Sequence, residues 1–339
     1  MNRSKELIKY TATRLAIAPL TLWLIASLVF LLLRIAPGDP VDAILGNRAN
    51  ELAKEALRIK LGLNVSLWEQ YINFINGLTH ADLGSALTNQ EPVREIILKT
   101  LPATVELSIF SLILSVFIGT IIGLSGVAKP ESKLDLIGRI YGIGTYALPP
   151  FWAAMMVQIL FAVVLGWLPV GGRFPPSLVE PGGSGFLIFD SLKSLNLEAL
   201  NGAIRHLILP AGTLGILLSG IFSRSIRLNL SNILQSDYIE AAKSRGISKR
   251  DIILKHAFPN ALLPVLTIAG ITIASLIGGA LLIEVTFSWP GIALRLHEAI
   301  NQRDYPVVQG IVIVIAGLVV LIGLIFDLIV ASIDPRISY

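Results

Sequence analysis

Few side chains in this sequence are suited to covalent chemistry. There is no cysteine and the four histidines are scattered, which excludes disulfides, thiolate catalysis and thiolate metal sites and leaves no metal site expected. An intramembrane hydrolase needs a nucleophile and a base that meet, and His206, His256 and His297 all fall in segments read below as loops or interfaces. A phosphate cradle needs G-x-x-x-x-G-K-[ST]; the nearest string, GLSGVAK at Gly123 to Lys129, lacks the Gly-Lys pair. What the sequence offers instead is a docking device, SDYIEAAKSRGISKRDIILKHAFPNALLP from Ser236 to Pro264. Asp237 can cap a helix, with Glu240 three positions later in capping-box spacing, and Gly246 supplies a left-handed stop. Ser248 with Asp251 repeats the start signal. The spacing predicts a helix of about two turns over Tyr238 to Arg245, presenting small Ala241 and Ala242 on one side for close docking, and then a second helix.

The elements that must position this loop are membrane spans. With 54% apolar and 15% charged residues and a mean hydropathy of +0.73, the composition is that of a membrane protein. In 339 residues no large soluble catalytic domain fits between the apolar runs. The pI near 9.3 comes from basic residues at the ends of those runs, where membrane topology places them, so nucleic acid is not an expected partner and the lipid bilayer is. Leu15 to Leu33 is the first predicted span, too long for the apolar region of a cleaved signal peptide. Residues 35–101 read as a soluble insertion with a PGDP turn at Pro37 to Pro40 and amphipathic stretches at Glu51 to Leu61, stopped by Gly62, and at Leu67 to Ile75. Further spans are expected at Val105 to Val127, Ile137 to Leu168, Leu207 to Ile226, Ala261 to Ile283 and Val307 to Ile333. The fold class is therefore an all-α membrane protein with six predicted spans and a soluble extracytoplasmic insertion after the first.

Within the spans, Pro149 and Pro150 predict a kink near mid-membrane, where Tyr146, Pro149, Pro150, Phe151 and Trp152 either line a translocation path or make a purely structural bend. The fourth span is diluted by Gly212, Gly215, Ser219, Gly220 and Ser223, which marks it as buried among other helices. Gly119 with Gly123 and Gly138 with Gly142 have close-packing spacing. Glu106 and Asp327 lie in or beside apolar runs and are read as packed or interfacially paired rather than as a proton relay, so an ion-coupled transporter is disfavoured. Arg224 and Arg227 serve equally as contacts or as positive-inside anchors, and Trp289, Pro290 and Gly291 read as a turn. Placing both termini in the cytoplasm puts Lys and Arg of the N-terminus, of 129–139, of 224–255 and Arg336 inside, and leaves only Arg173, Lys193, Arg205, Arg295 and Arg303 in the short outer loops.

EAAKSRG followed by FPNALLP resembles the EAA loop of permease subunits of ATP-binding-cassette importers. Glu240, Ala241, Ala242 and Gly246 match its core, Phe258 with Pro259 falls where the pattern has Leu-Pro, and His256 departs from the usual Ile. The likeness narrows to the first permease subunit of the dipeptide, oligopeptide and nickel group through LLLRIAPGDPV at Leu31 to Val41, LGLNVSLWEQY at Leu61 to Tyr71, DLGSAL at Asp82 to Leu87, LPATVEL at Leu101 to Leu107, HLILPA at His206 to Ala211, EVTFSWPG at Glu284 to Gly291, RDYPVVQG at Arg303 to Gly310 and DPRI at Asp334 to Ile337. The resemblance implies a type I importer transmembrane domain over 102–333, after a first helix and N-terminus in 1–34 and before a cytoplasmic tail at 334–339. It further implies a coupling helix at the start of 236–264 that sits on an ATPase, with Asp237, Glu240, Ala241, Ala242, Gly246 and Pro259 as coupling residues. The implied partners are a second homologous permease subunit, two ATPase subunits that hold ATP and Mg, and an extracytoplasmic substrate-binding protein in a prokaryotic cytoplasmic membrane. Short peptides are the leading substrate, with nickel, glutathione or an opine-like compound as alternatives, and no cofactor is expected in this chain.

Overall fold

The computed structural model of the chain describes residues 3–35, 40–46, 49–128 and 131–333. The PGDP turn, Lys129, and the DPRI tail with Arg336 lie wholly or mostly outside the described residues. Long apolar runs, with no water to satisfy backbone polar groups in a bilayer, can only be helical, and the described residues are all helix and loop apart from one isolated bridge between Ser85 and Pro92. Helix α1 (Arg3–Ile35) is followed by three short helices, α2 (Pro40–Leu45), α3 (Glu51–Lys60) and α4 (Leu67–Thr79). Asn50 accepts from Leu52 N–H at the start of α3, and Gly62 leaves it at φ +64°. Ser66 and Glu69 form a reciprocal capping box at the start of α4. The apolar side of α4 packs on the end of α1: Phe30 lies 5.3 Å from the Tyr71 ring and 5.6 Å from Phe74, and Arg34 Nε donates to Gln70 Oε1 at 3.0 Å.

The remaining elements are α5 (Val93–Ala128), α6 (Lys133–Ala147), α7 (Pro150–Gln158) running into a π-helical turn at Ile159–Val164, α8 (Leu187–Lys193), α9 (Leu197–Ile233), α10 (Asp237–Ser244), α11 (Lys249–Asp251) running through a π-helical turn at Ile252–Ala257 into α12 (Phe258–Gly279), α13 (Leu281–Thr286), α14 (Ile292–Asn301) and α15 (Tyr305–Ile333). Several boundaries differ from the sequence expectation, α9 for instance running from Leu197 to Ile233 rather than from Leu207 to Ile226, and two have a local cause. Helix α5 starts at Val93, inside the stretch read as insertion, because Pro102 sits in its interior without ending it. The fifth apolar run is interrupted at Ala280, so Leu281 onward forms a separate short helix.

The largest correction concerns the third run. It is not one helix with a kink but two helices, α6 and the α7 segment, that meet at 101°. A residue before proline is pushed out of the helical region, and here Leu148 precedes Pro149 and Pro149 precedes Pro150. Both are extended, at ψ 125° and 127°, and Pro150 then opens a new helix at a position where its missing N–H costs nothing. Five helices are long and apolar enough to cross a membrane, or six if the bent pair is one span.

Helix α9 is the axis of the bundle. Of its most apolar stretch 67% is buried, against 6% for α15 and 11% for α1, as its diluted, small-residue composition leads one to expect. Gly119 and Gly123 of α5 face it so closely that a Cβ at Gly119 would lie 2.5 Å from Phe222 Cβ, and one at Gly123 would lie 2.9 Å from the Ser223 carbonyl oxygen. Gly142 is in ordinary contact with the Gly220 carbonyl, and Gly138 is close to Ile122.

Candidate functional site

At one end of α9 the loop expected to dock on a partner is built in two steps. Ser236 occupies the cap position of α10, but its hydroxyl donates back to Ile233 O at 2.6 Å and makes no cap bond. Asp237 is therefore not the cap, and no capping box forms with Glu240. Both acids lie in the first turn, where they oppose the partial positive charge of the helix N-terminus. Gly246 does end the helix, at φ +77°, with its N–H on Lys243 O at 2.9 Å and Ile247 N–H on Ala242 O at 3.3 Å. Ser248 caps the next helix, accepting from Asp251 N–H at 3.2 Å and donating to Asp251 Oδ2 at 3.0 Å.

Ala241 and Ala242 do not share a side, since adjacent helical residues are turned by about 100°. Ala242, 8% exposed, and Ile239, fully buried, seat α10 in a cluster with Phe222, Ile226 and Leu230 of α9 and Ile252 and Ala257 of the second helix. Asp237, Glu240, Ala241 and Gly246 stand on the open side, and Pro259 is exposed at the start of α12. Polar ties hold the seat at its rim. Asn260 Nδ2 donates to Tyr238 Oη at 3.1 Å and to His256 O at 3.1 Å, and Tyr238 Oη donates to His256 O at 3.4 Å.

The same end has an ion-pair hub that sequence reading missed. Asp135, 2% exposed, receives Arg139 Nη2 at 2.6 Å, Arg227 Nε at 3.1 Å and the Glu131 N–H at 3.3 Å. It ties α6 to α9 and gives Arg227 its role, while Arg224 remains exposed. The available signal was a lone acid one helical turn before Arg139 in a basic stretch.

At the opposite end, buried polar groups knit distant segments together. Glu106, 4% exposed, accepts from Arg173 Nη2 at 2.6 Å and from Ile188 N–H at 2.9 Å, and Arg173 also donates to Gly185 O at 2.7 Å while lying 5.8 Å from the Trp289 ring centre. Trp289 Nε1 donates to Ala103 O at 2.9 Å. Glu284 accepts from Thr104 Oγ1 at 2.5 Å and from Leu294 N–H at 2.7 Å, and Thr104 Oγ1 accepts from Ile292 N–H at 2.8 Å. Burial pushes the Glu284 carboxyl up from the usual range, and the Thr104 hydroxyl and the Leu294 and Ala293 N–H groups offset only part of that. Asp190 goes the other way: burial raises it, but bonds from Ser184 N–H, Ser184 Oγ and Gly185 N–H prevail and hold it below the ordinary value. Asp304, fully buried, accepts from Leu87 N–H, Thr88 N–H and Thr88 Oγ1. The expected turn at Trp289 to Gly291 is thus a joint, with Trp289 and Gly291 buried and Pro290 exposed.

Asp327 pairs with Arg14 at 3.2 Å, as interfacial pairing requires. The histidines stay apart in role: His206 bonds its own helix at Gly202 O, and His297 lies against Asn301. Tyr146, Pro149, Pro150, Phe151 and Trp152 all gather at the α6/α7 corner and all are exposed, Tyr146 by 85%.

The geometry is a bundle of long apolar helices with a short helix seated at one end of it, and comparison with known proteins says what kind of protein this is. Residues 115–339 match the family described as the binding-protein-dependent transport system inner membrane component, and residues 7–108 match its N-terminal counterpart. The chain belongs to this family. It is a permease subunit of an ATP-binding-cassette importer and a multi-pass membrane protein. The dipeptide transport system permease protein of Alkalihalophilus pseudofirmus is 40% identical to this permease over 310 residues, covering 91% of this chain and 93% of that one. The di/tripeptide transport system permease protein of Pseudomonas aeruginosa is 36% identical over 336 residues, 98% and 99% of the two chains. The oligopeptide transport system permease protein of Bacillus subtilis is 34% identical over 316 residues, 93% and 94%. In this permease two of the strings that carried the resemblance, LPATVEL and EVTFSWPG, meet at the joint formed by Thr104, Glu284 and Trp289.

Proposed function

We propose that this permease forms half of the translocation path of an importer for short peptides and is driven by separate ATPase subunits through α10. The observation that carries the reading is the two-sidedness of α10: Ile239 and Ala242 are sunk in the permease's own core while Asp237, Glu240 and Ala241 face away from it. A helix so placed transmits a push from a partner on its open side directly to α9 and α12. Gly246 and Pro259 fix where the push is relayed, one by ending the helix and the other by opening α12.

In this arrangement the bent pair counts as one of six spans, both termini are cytoplasmic and the insertion over 35–101 is extracytoplasmic and soluble. The insertion offers its surface, with residues 169–205 and 284–305, to a substrate-binding protein. A second homologous permease completes the path, to which the exposed corner at Tyr146, Pro149, Pro150, Phe151 and Trp152 contributes. ATP and Mg are held by the ATPase subunits, and this chain carries no cofactor. The peptide substrate is supported by the relatives, which are permeases of dipeptide, di/tripeptide and oligopeptide transport systems.

The test is uptake of a labelled dipeptide into proteoliposomes with ATP enclosed. The assembled complex is expected to transport and this chain alone is not; uptake by the chain alone sinks the reading. Gly246→Asp is expected to abolish ATP-dependent uptake while leaving the thermal transition of the spans in place.

A further inference from the structure

Where α5 ends and α11 begins, a groove of about 370 Å³ opens between two membrane-crossing helices. Its walls are Leu124 and Ser125 of α5 and Ile253 and Leu254 of the second helix, and its rim carries Lys249 and Arg250. No carboxylate lines it. Lys249 and Arg250 are both exposed and neither has an ion-pair partner among the described residues, whereas the neighbouring acid, Asp251, is engaged by Lys255 at 2.8 Å and by Ser248. On the same end Arg139 and Arg227 share Asp135 as an ion-pair partner.

Two cations without an ion-pair partner among the described residues, above an apolar slot at the end of one long apolar helix and the start of another, match a molecule with an anionic head and an acyl chain. Basic pockets between transmembrane helices suit acidic phospholipid headgroups, and each nearby cation adds to the attraction. We propose that this groove is a binding site for an anionic phospholipid, whose phosphate is held by Lys249 and Arg250 and whose acyl chain lies along Leu124, Ile253 and Leu254. A protein partner suits the slot less well, because its walls are apolar side chains of two long apolar helices, Leu124 of α5 and the exposed Leu254 of the second helix, with Ile253 at its floor. The inference rests on the membrane location alone and stands whether or not the transported solute is a peptide. A lipid seated here clamps the segment directly after Gly246, so the second half of the docking loop is anchored by the bilayer itself.

The test is native mass spectrometry of the detergent-solubilised full chain titrated with dioleoyl phosphatidylglycerol or dioleoyl phosphatidylcholine. The parent chain is expected to retain phosphatidylglycerol in preference to phosphatidylcholine. Lys249→Gln with Arg250→Gln is expected to weaken phosphatidylglycerol about tenfold or more, the scale of losing two surface attractions, and to bring it level with phosphatidylcholine. Lys255→Gln, a single charge loss on the same helix but off the groove, is expected to weaken phosphatidylglycerol far less than the double variant does, and Leu254→Asn to weaken both lipids. Both cations are exposed, and a thermal transition matching the parent's confirms that the double variant is folded. Equal retention of the two lipids by the parent, or unchanged retention by the double variant, overturns the proposal. So does displacement of the lipid by glycerol phosphate at equal concentration, which makes the site one for free anions. Loss of ATPase co-purification with lipid binding intact also overturns it, by assigning the cations to the ATPase.

Discussion

The two ends of this bundle are held together by opposite means. At the docking-loop end, a short helix rests on an apolar seat through Ile239 and Ala242, its rim ties are exposed, and Asp135 with its two arginines is the one deeply buried ionic group described there. At the other end Glu106, Glu284, Asp190 and Asp304 are all buried, and each bonds groups from a different stretch of chain or a tight loop. An apolar seat is non-directional, so a helix on it can shift by a fraction of a turn without losing its burial. A buried charged hydrogen bond has a steep dependence on geometry and leaves an expensive orphan when broken. The contrast teaches that one end is held by contacts that tolerate small shifts and the other by contacts that fix its register.

Breaking the contrast begins with the buried pair. Glu106→Ala strands the Arg173 guanidinium and is expected to cost about 3–5 kcal/mol, read as loss of the thermal transition in detergent. Glu106→Leu with Arg173→Met is expected to regain most of it, and failure to do so transfers the loss to packing. Gly291→Ala comes next, because its Cβ would overlap the Glu284 carboxylate and the Thr104 hydroxyl; overpacking of this kind costs about 1–3 kcal/mol. Glu284 gives the pH test. Its acid form is favoured in the folded state, so its contribution is fully present below the unfolded carboxyl value of about 4.3 and is lost as pH rises through the raised folded value. The slope over that window is at most about 1.4 kcal/mol per pH unit, and Glu284→Gln is expected to remove it from the stability profile. Asp190, with its lowered value, runs oppositely: its contribution is present above the unfolded value and is lost as pH falls through the folded one.

At the docking end the effects are smaller. Ser248→Ala removes a cap and is expected to cost about 1 kcal/mol, detectable by hydrogen exchange at the start of the second helix. Smallest of all, Glu240→Lys on the open side is expected to shift stability by less than about 0.5 kcal/mol while ATPase co-purification falls sharply. A large stability loss there would mean that α10 is structural like the other end.

Much of the fold is written in local pattern, and the exceptions have local causes. The long helices follow from apolar runs, and Gly246 and Ser248 were legible because a stop and a cap act within a few residues. Asp237 was misread because Ser236 satisfies its hydroxyl one turn back rather than forward. Ala241 and Ala242 were merged although consecutive residues cannot share a helix face. The Leu148 and Pro149 corner was underestimated because two successive residues before proline leave the helix, where one would only kink it. The buried joints lay beyond any sequence pattern. Thr104 and Glu284 are separated by 180 residues, and nothing near either names the other.

The π-helical turn at Ile252–Ala257 has a consequence of phase. Phe258 N–H reaches back five residues to Ile253 O, so the ribbon holds one more residue here than a regular winding would. Adjacent Ile252 and Ile253 both reach the interior as a result, ahead of the regular four-residue beat of Ala257, Ala261, Val265 and Ala269. Deleting one residue from this turn would restore an ordinary winding and twist everything before it by about 100° relative to α12. Lys249 and Arg250 would swing off their groove while the span below stayed put. The turn thus acts as a vernier, setting the angle between α11 and α12.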